Sequence, residues 1–445
     1  MIQPEWSRRT FLKSLPAVCP ALALSPTFLQ AENKPRRPKV AVVLTACFYR
    51  SHAHVILENF LQPYLFNGQP TDPGVDVVSF YVDQFPKDDI VRMISSKYNI
   101  PYFGSINDAL CLGTDQLAVD AVLSIGEHGN YPKNELDQVQ YPRKRFFDEI
   151  VAVMKKSNRF VPLFNDKHLS YRWDWALEMY DTCRKHGIPF QAGSSVPLAQ
   201  RRPKLELPKN AEITEAVTVH GGPIESYDFH GLEVLQSMVE ARKGGETGIK
   251  TVEFWTFEKL KQAAEEKRFS VDLLEAAMHA EFGKKRKSLW KIDGQEEIEP
   301  HGIHLTYADG LKATVIRIGL RGGRWNFACR MKGVKTPRAT SFYVGPWNNR
   351  NLFKALSHAI QQHFVQGEST FPVERTLLTT GILETAMRSR RQNGKSLATP
   401  HLEIAYQPKD FRVMREMGKS WEIITEKIPE PLGFDPTGLN ASQRD

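Results

Sequence analysis

Four short polar runs in the first half of the chain each follow a stretch of apolar residues. The runs carry Arg50, Ser51, His52, His54, Asp83, Glu127, His128, Asp166, Lys167 and His168. Imidazole, carboxylate and ammonium groups transfer protons in catalysis, and imidazole together with carboxylate also binds metal ions. Each run alone has a simpler interpretation as a solvated turn or a helix cap. Four runs in equivalent positions favour a single site.

The apolar stretches before these runs have the composition of buried strands. Strand and helix patterns alternate from Lys39 to Ser195, which predicts a mostly parallel, doubly wound sheet with helices on both faces. Gly187 is expected to end one of the helices. Ligands of such sheets bind outside the carboxyl ends of the strands. The four polar runs should therefore converge on one cleft.

The second half of the chain has a different pattern. After Pro203 strands outnumber helices, and Asp309-Gly310 is a hairpin signal. This favours an α+β domain with a largely antiparallel open sheet. The predicted organisation is a leader over 1–31, a linker over 32–38, a doubly wound domain over 39–203, an α+β domain over 204–408 and a C-terminal extension over 409–445.

The N-terminus carries an export signal. "SRRTFLKS" places Arg8 and Arg9 before an apolar stretch that two prolines interrupt, and "LQA" ends at a candidate cleavage site after Ala31. This is the twin-arginine pattern, which the twin-arginine export machinery reads. We therefore expect a periplasmic or otherwise exported protein, delivered already folded.

Composition narrows the class of protein. The 445 residues are 41% hydrophobic and 25% charged with a net charge of +8, which describes a soluble globular protein and argues against a nucleic-acid binder. Beyond the leader the cysteines form no CxxC pair, so small buried side chains are expected and any disulfide is left open. These cysteines are Cys47, Cys111, Cys183 and Cys329.

The segments "NDKH", "DAVLSIGEHG", "GGPIESYDFHGLEVL" and "PVERTLLTTGILETAMRSRRQNG" occur along the chain. Together they resemble the glucose–fructose oxidoreductase/inositol dehydrogenase (Gfo/Idh/MocA) family. In "NDKH", Asp166, Lys167 and His168 stand at the positions of the family's Glu-Lys-Pro motif. "DAVLSIGEHG" resembles the strand that leads to its nucleotide-side loop, and "GGPIESYDFHGLEVL" resembles the Gly-rich segment that reaches the catalytic histidine, here His230. "PVERTLLTTGILETAMRSRRQNG" is similar to its C-terminal helix. The resemblance covers most of residues 38–405.

The resemblance implies a Rossmann-like domain, a carbohydrate substrate and NAD or NADP as cofactor. The expected protein is an exported oxidoreductase that transfers hydride between a bound nicotinamide and a hydroxyl or carbonyl group of a sugar or polyol, or a glycosidase that uses NAD. A homo-oligomer is expected by the same analogy. The implied catalytic residues are Lys167, His230 and Asp166, and the implied cofactor contacts are Arg50, Ser51, Asp83, Glu127 and His128.

One departure from the family keeps other functions open. "TACFYRSHAH" replaces the glycine-rich loop that lets backbone N–H groups approach a pyrophosphate. Asp83 would favour NAD over NADP, but it lies about twice as far downstream as the ~20 residues typical of the motif. The alternatives are a metal-dependent hydrolase or lyase and a non-catalytic sugar-binding protein. The ligands of such a metal would come from His52, His54, Glu127, His128, Asp166 and His168.

Overall fold

Two sheets organise the part of the chain that the computed structural model describes. The described residues are 36–284, 286, 288–292, 298–431 and 433, and those from Arg37 onward belong to one compact unit. The twin-arginine pattern and the cleavage site after Ala31 lie outside them. None of the helices in these residues combines the length and apolar composition that a membrane span requires.

The first sheet is parallel throughout and has six strands in the order β5-β4-β1-β6-β7-β8. Its strands are β1 (Lys39–Leu44), β4 (Asp76–Val82), β5 (Tyr102–Phe103), β6 (Ala121–Ile125), β7 (Leu163–Asp166) and β8 (Phe190–Gly193). The chain leaves β1 toward one edge and later returns to its other side at β6. The carboxyl ends of β1 and β6 therefore flank the crevice of a doubly wound fold, as the sequence predicted.

Five helices cover this sheet, and a small hairpin follows the first of them. They are α1 (His52–Leu61), α2 (Val91–Tyr98), α3 (Ile106–Cys111), α4 (Arg143–Lys156) and α5 (Trp173–His186), with β2 (Tyr64–Phe66) and β3 (Gln69–Thr71) in the hairpin. Apolar side chains of β1 pack on both faces, which explains its unbroken β-branched run. Gly187 ends α5 with φ 64°, as predicted.

The second sheet has eight strands in the order β16-β11-β12-β13-β10-β14-β15-β9. These are β9 (Gln200–Arg202), β10 (Ile213–His220), β11 (Ile249–Trp255), β12 (His301–Tyr307), β13 (Lys312–Arg317), β14 (Trp325–Met331), β15 (Arg338–Tyr343) and β16 (Leu397–Ala398). Every pair is antiparallel except β10 with β13. The predicted hairpin at Asp309-Gly310 joins β12 to β13, and Gly310 has φ 91°.

Five helices accompany the second sheet. They are α6 (Ser226–Val239), α7 (Phe257–Glu265), α8 (Val271–Phe282), α9 (Asn349–Gln366) and α10 (Val373–Arg391). The sequence patterns predicted four of them and missed α7. Strand β9 precedes the predicted domain boundary at 203 yet pairs with β15 at the edge of this sheet. The boundaries themselves stay a prediction.

The C-terminal extension lies against the body of the protein in its described part. Trp421 and Ile424 pack with Leu65 and Trp347 in a separate apolar cluster. Further along, Glu430 reaches the loop that joins β1 to α1. Cys47, Cys111, Cys183 and Cys329 are all buried and free, which agrees with their interpretation as small core residues.

Candidate active site

A cleft of about 500 Å³ opens at the carboxyl ends of the first sheet and is closed on its other side by the second sheet. This volume lies in the range of small-molecule sites. From the first sheet it is lined by Arg50, His52, Glu127, His128 and Lys167. From the second half of the chain it is lined by Glu225, Tyr227 and His230 at the start of α6 and by Trp325 of β14. Most of the predicted site residues therefore meet in one place.

Lys167 lies at the mouth of β7 in a buried ionic cluster. Its Nζ donates to Oε1 of Glu127 at 2.8 Å, and Arg143 Nη2 donates to Oε2 of the same carboxylate at 2.5 Å. All three side chains are almost completely buried. Burial alone would raise the pKa of Glu127, but the charges of Lys167 and Arg143 outweigh it and hold that pKa well below its ordinary value.

The backbone of Lys167 is strained. Its φ is 64°, a left-handed conformation that costs a lysine about 1 kcal/mol or more. The Lys167 N–H donates to the carbonyl of Gly193 at 3.2 Å, which holds the turn against β8. The conformation directs the chain out of the sheet directly after Asp166.

Asp166 binds a histidine from another part of the chain. Its Oδ2 lies 2.6 Å from Nδ1 of His52, the first residue of α1. Asp166 is buried, whereas His52 faces the cleft. A carboxylate on Nδ1 fixes the ring and leaves Nε2 for proton transfer. The sequence placed His52 among the strand-end residues of the cleft and as a candidate metal ligand, but it did not indicate the contact with Asp166.

His230 lies in α6 and is held by a residue that the sequence did not indicate. Its Nδ1 is 2.6 Å from Oγ of Ser194, which follows β8. Burial, together with the charges of Lys167 and His52, holds the pKa of His230 well below its ordinary value. The ring is therefore neutral near pH 7 and able to accept a proton.

Glu233 supports His230 indirectly. The two share a face of α6, but the Glu233 carboxylate reaches His230 through Ser194, whose backbone N–H donates to Oε2 at 3.4 Å. Thr376 and Thr379 donate to its other oxygen. Gly193, with φ 139°, makes room for this carboxylate, because a Cβ there would lie 3.0 Å from Oε2.

A second ionic layer lies beneath the cleft. His168 Nε2 is 3.2 Å from Arg143 Nη1 and 3.6 Å from Oε1 of Glu225. Burial raises the pKa of Glu225 to about 7, so its charge changes in the physiological range. His128 has φ 72°, and burial together with the His52 charge lowers its pKa to about 4.

Besides Asp166 and His168, three of the polar residues from the sequence runs are absent from the cleft lining. Ser51 caps α1 by accepting from the His54 N–H, and His54 is buried behind it. Asp83, after β4, accepts from the hydroxyls of Tyr81 at 2.8 Å and Tyr131 at 2.6 Å. Arg145 also donates to the Asp83 carboxylate. Asp83 is therefore fully engaged within the protein.

Potential metal ligands meet elsewhere than the sequence suggested. Within the described residues, one group of three ligand-type side chains has all its ligand atoms within 4.8 Å of one another, and it consists of His220, Asp228 and His301, all buried. Asp228 Oδ1 is 2.9 Å from Nε2 of His220 and 2.7 Å from Nε2 of His301. These are hydrogen-bond distances, so the group needs no ion. It fixes the first turn of α6, two residues before His230.

Comparison with known proteins identifies the fold. No family profile and no curated protein sequence matches the chain. A probable dehydrogenase from Thermotoga maritima superposes with a TM-score of 0.51 at 11% identity, over 82% of this chain and 99% of that one. The chain has the fold of a dehydrogenase. The predicted resemblance to Gfo/Idh/MocA proteins is confirmed at this level.

Two further solved structures share this dehydrogenase fold. GenD2 from gentamicin A biosynthesis, in complex with NAD, has a TM-score of 0.50 at 12% identity, over 82% of this chain and 96% of that one. Apo scyllo-inositol dehydrogenase from Lactobacillus casei has a TM-score of 0.50 at 9% identity, over 82% of this chain and 98% of that one.

The loop between β1 and α1 is where this fold places the phosphates of a dinucleotide. Its backbone N–H groups make hydrogen bonds within the protein. The Phe48 N–H donates to Ser51 Oγ at 3.1 Å, and the Arg50 N–H donates to His54 Nδ1 at 2.8 Å. The Ser51 N–H donates to the Phe48 carbonyl at 2.9 Å. The Asp83 carboxylate is also hydrogen-bonded within the protein. In this arrangement these N–H groups are not available to the phosphates of a dinucleotide, and the carboxylate is not available to its adenosine ribose.

Proposed function

We propose that the protein is an oxidoreductase that acts on a hydroxyl or carbonyl group of a sugar or polyol in this cleft. One observation carries the proposal: a buried lysine, Lys167, and a neutral histidine, His230, line one small-molecule cleft at the strand ends of a dehydrogenase fold. The dehydrogenases that share the fold support the reaction class.

The residues of the cleft supply the proton transfers of such a reaction. The Lys167 ammonium, oriented by Glu127, donates a hydrogen bond to the substrate oxygen and stabilises charge that develops there. His230 accepts the hydroxyl proton when its Nδ1 donates to Ser194 and its Nε2 is unprotonated. His52, with Asp166 at its Nδ1, is a second group for proton transfer, and its ring centroid lies 6.5 Å from that of His230.

Aromatic side chains support a carbohydrate ligand. Tyr227 and Trp325 line the cleft, with their ring centroids 5.5 Å apart and their planes 15° from parallel. Flat aromatic surfaces pack against the C–H faces of sugars, while polar groups at the rim bind hydroxyls. The ionic groups of Lys167 and Glu127 line the same cleft.

The hydride partner, NAD or NADP, is kept as part of the proposal because a protein of this fold has been crystallised with NAD. A nicotinamide cofactor supplies the hydride acceptor that oxidation of an alcohol requires. The engaged phosphate loop and Asp83 favour a second candidate. This is a lyase, hydrolase or sugar-binding protein that uses the same cleft without a dinucleotide.

One preparation separates these functions. The exported form is purified and denatured, the supernatant is examined for NAD and NADP by mass spectrometry, and thermal shifts are measured with a panel of sugars and polyols. Released nucleotide together with a sugar-dependent shift supports the oxidoreductase. A sugar-dependent shift without nucleotide supports the second candidate. A protein that responds to no member of the panel contradicts both.

Export by the twin-arginine route belongs to the same proposal. A protein that carries a tightly held cofactor into a compartment poor in nicotinamide benefits from folding before export. Replacing Arg8 and Arg9 by lysine should leave the protein in the cytoplasm with its leader uncleaved, as cell fractionation and mass spectrometry would show. Normal export of that variant would contradict the assignment.

A further inference from the structure

The carboxylate of Glu430 occupies a built anion site at one end of the cleft. The Tyr49 hydroxyl donates to its Oε1 at 2.7 Å, and Arg50 Nε donates to the same oxygen at 3.1 Å. Arg50 also donates from Nη2 to Oε2, and Arg350 Nη1 lies 3.4 Å from Oε1. Two guanidinium groups and one hydroxyl thus surround a single carboxylate.

The site is held rigidly on the side of Arg350. This side chain is 1% exposed, and its Nε and Nη2 bind the two oxygens of Glu58 at 3.2 and 2.6 Å. Its Nη1 also donates to the Pro431 carbonyl at 2.5 Å. Asn349 Nδ2 donates to the Arg50 carbonyl at 2.8 Å, which ties α9 to the loop. The donors are therefore preorganised for an anion.

The site lies where this fold places phosphate. Arg50 immediately precedes Ser51, the N-cap of α1, and it lines the cleft. Phosphates bind at the N-terminus of the helix after the first strand of doubly wound folds. Guanidinium pairs bind phosphate and carboxylate with the same bidentate geometry. The Glu430 carboxylate therefore offers the loop negatively charged oxygen acceptors, as a phosphate would.

We propose that Tyr49, Arg50 and Arg350 form a phosphate-binding site, which the Glu430 carboxylate fills until a phosphate group of the ligand displaces it. Such a group belongs to a dinucleotide or to a phosphorylated sugar. The dinucleotide source rests on the proposed function, whereas the sugar source does not. On either source, phosphate binding requires the C-terminal segment to release its carboxylate.

The test compares phosphate binding by the wild-type protein and by Glu430→Gln, which keeps the shape of the side chain and removes its charge. The probes are NAD⁺, ADP, glucose 6-phosphate and inorganic phosphate, and binding is followed by calorimetry. Glu426→Gln is the matched control, because Glu426 lies on the same segment and binds Tyr343 instead. We expect Glu430→Gln to bind at least one organic probe about tenfold or more tightly than the wild type and Glu426→Gln do.

The pattern of probes identifies the source of the phosphate. Tighter binding of NAD⁺ and ADP indicates a dinucleotide, and tighter binding of glucose 6-phosphate indicates a phosphorylated sugar. Equal affinity of the wild type and Glu430→Gln for every probe overturns the proposal, as does binding of inorganic phosphate alone, which is an adventitious ion only. Should Glu430→Gln fail to fold, Glu430→Asp replaces it, because the shorter side chain weakens the contact with Arg50. Glu430→Asp should give a smaller gain in phosphate affinity, and no gain there overturns the proposal.

This outcome is separable from that of the proposed function. Thermal shifts with unphosphorylated sugars are recorded on the same samples. A sugar-dependent shift with no effect of Glu430→Gln on phosphate binding would overturn the phosphate site and leave the proposed action on sugars intact. Tighter binding of glucose 6-phosphate by Glu430→Gln, with no thermal shift by any unphosphorylated sugar, would leave the phosphate site intact and overturn the proposed action on unphosphorylated sugars.

Discussion

The Nζ atom of Lys167 lies 2.8 Å from Oε1 of Glu127, a residue 40 positions earlier in the chain. The two residues follow β7 and β6, which are neighbours in the first sheet. Parallel pairing brings the ends of both strands to the same edge, so the lysine and the carboxylate meet without any special loop. Arg143 shares the carboxylate from behind, and Lys167 and Glu127 line the cleft.

Replacing Lys167 by methionine should destabilise the protein moderately. Glu127 would stay buried but keep Arg143 as its partner, so we expect a loss of about 1–3 kcal/mol in the free energy of unfolding. Urea denaturation would measure it. Lys133→Met is the control, because Lys133 lines the same cleft but is exposed, and its loss should stay within about 0.5 kcal/mol. Equal effects of the two substitutions would show that the Lys167–Glu127 pair contributes nothing.

Asp166→Asn should lower turnover and leave substrate affinity nearly unchanged. The amide preserves the shape of the side chain but no longer favours a protonated Nδ1 on His52, so proton transfer at Nε2 is impaired. We expect kcat to fall about 10²–10⁴-fold, the range of a lost acid–base group, with KM within a few-fold. Steady-state kinetics over a range of pH would check this. A rise in KM with normal kcat would show that the pair binds substrate and does not move protons.

Ser194→Ala should impair His230 without removing it. The ring would lose the hydrogen bond at Nδ1 that fixes its orientation, and we expect a loss of about 10-fold or more in kcat. Ser194→Thr retains the hydroxyl and should recover part of the activity. Ser195→Ala is the neighbouring control, because Ser195 lines the cleft and the hydrogen bonds found for His230 do not include it. If both alanine variants behave alike, Ser194 has no positioning role.

Stability should fall steeply between pH 6.5 and pH 5. Burial lowers the pKa of His54 to about 3 and the pKa of His304 to about 4. Burial together with the charge of His52 lowers the pKa of His128 to about 4. The unfolded chain therefore binds more protons than the folded protein below pH 6.5, and each such histidine costs up to about 1.4 kcal/mol per pH unit.

One carboxyl group of the cleft opposes this trend. Glu225 has a folded pKa of about 7, above its unfolded value, so it gains stability as the pH falls toward its unfolded pKa. The histidines outnumber it, and the net effect should be a loss. Urea midpoints at pH 7.5, 6.5, 5.5 and 5.0 would measure the slope. A midpoint that does not change over this range would contradict the burial of neutral histidines.

The sequence predicted the architecture because its signals are local. The unbroken apolar run of β1, the glycine after α5 and the Asp309-Gly310 turn each specify one element, and the alternation of strands and helices then specifies the parallel sheet. Apart from the helix α7, the elements missed were short or edge elements, such as β9 and the hairpin of β2 and β3. Their few residues carry too little periodicity to distinguish them from loops.

The sequence predicted where the site lies but not which of its residues contact one another. The strand-end rule brought Lys167, Glu127 and His128 to one edge, and the resemblance to a family added His230. Sequence could not show that Asp166 binds His52, that Ser194 holds His230, or that Glu430 reaches Arg50 across 380 positions. Such contacts depend on how loops from distant segments pack. Residue types and their spacing along the chain do not specify that packing.

The central claim is that Lys167 and His230 act on a sugar or polyol in the cleft. The most direct test is turnover of a panel of sugars and polyols with NAD⁺ and NADP⁺ by the wild type, Lys167→Ala and His230→Ala, with circular dichroism to confirm that the variants are folded. We expect the wild type to oxidise at least one member of the panel and each variant to lose about 10²-fold or more of that rate. Full activity in both folded variants would contradict the assignment of this cleft as the active site.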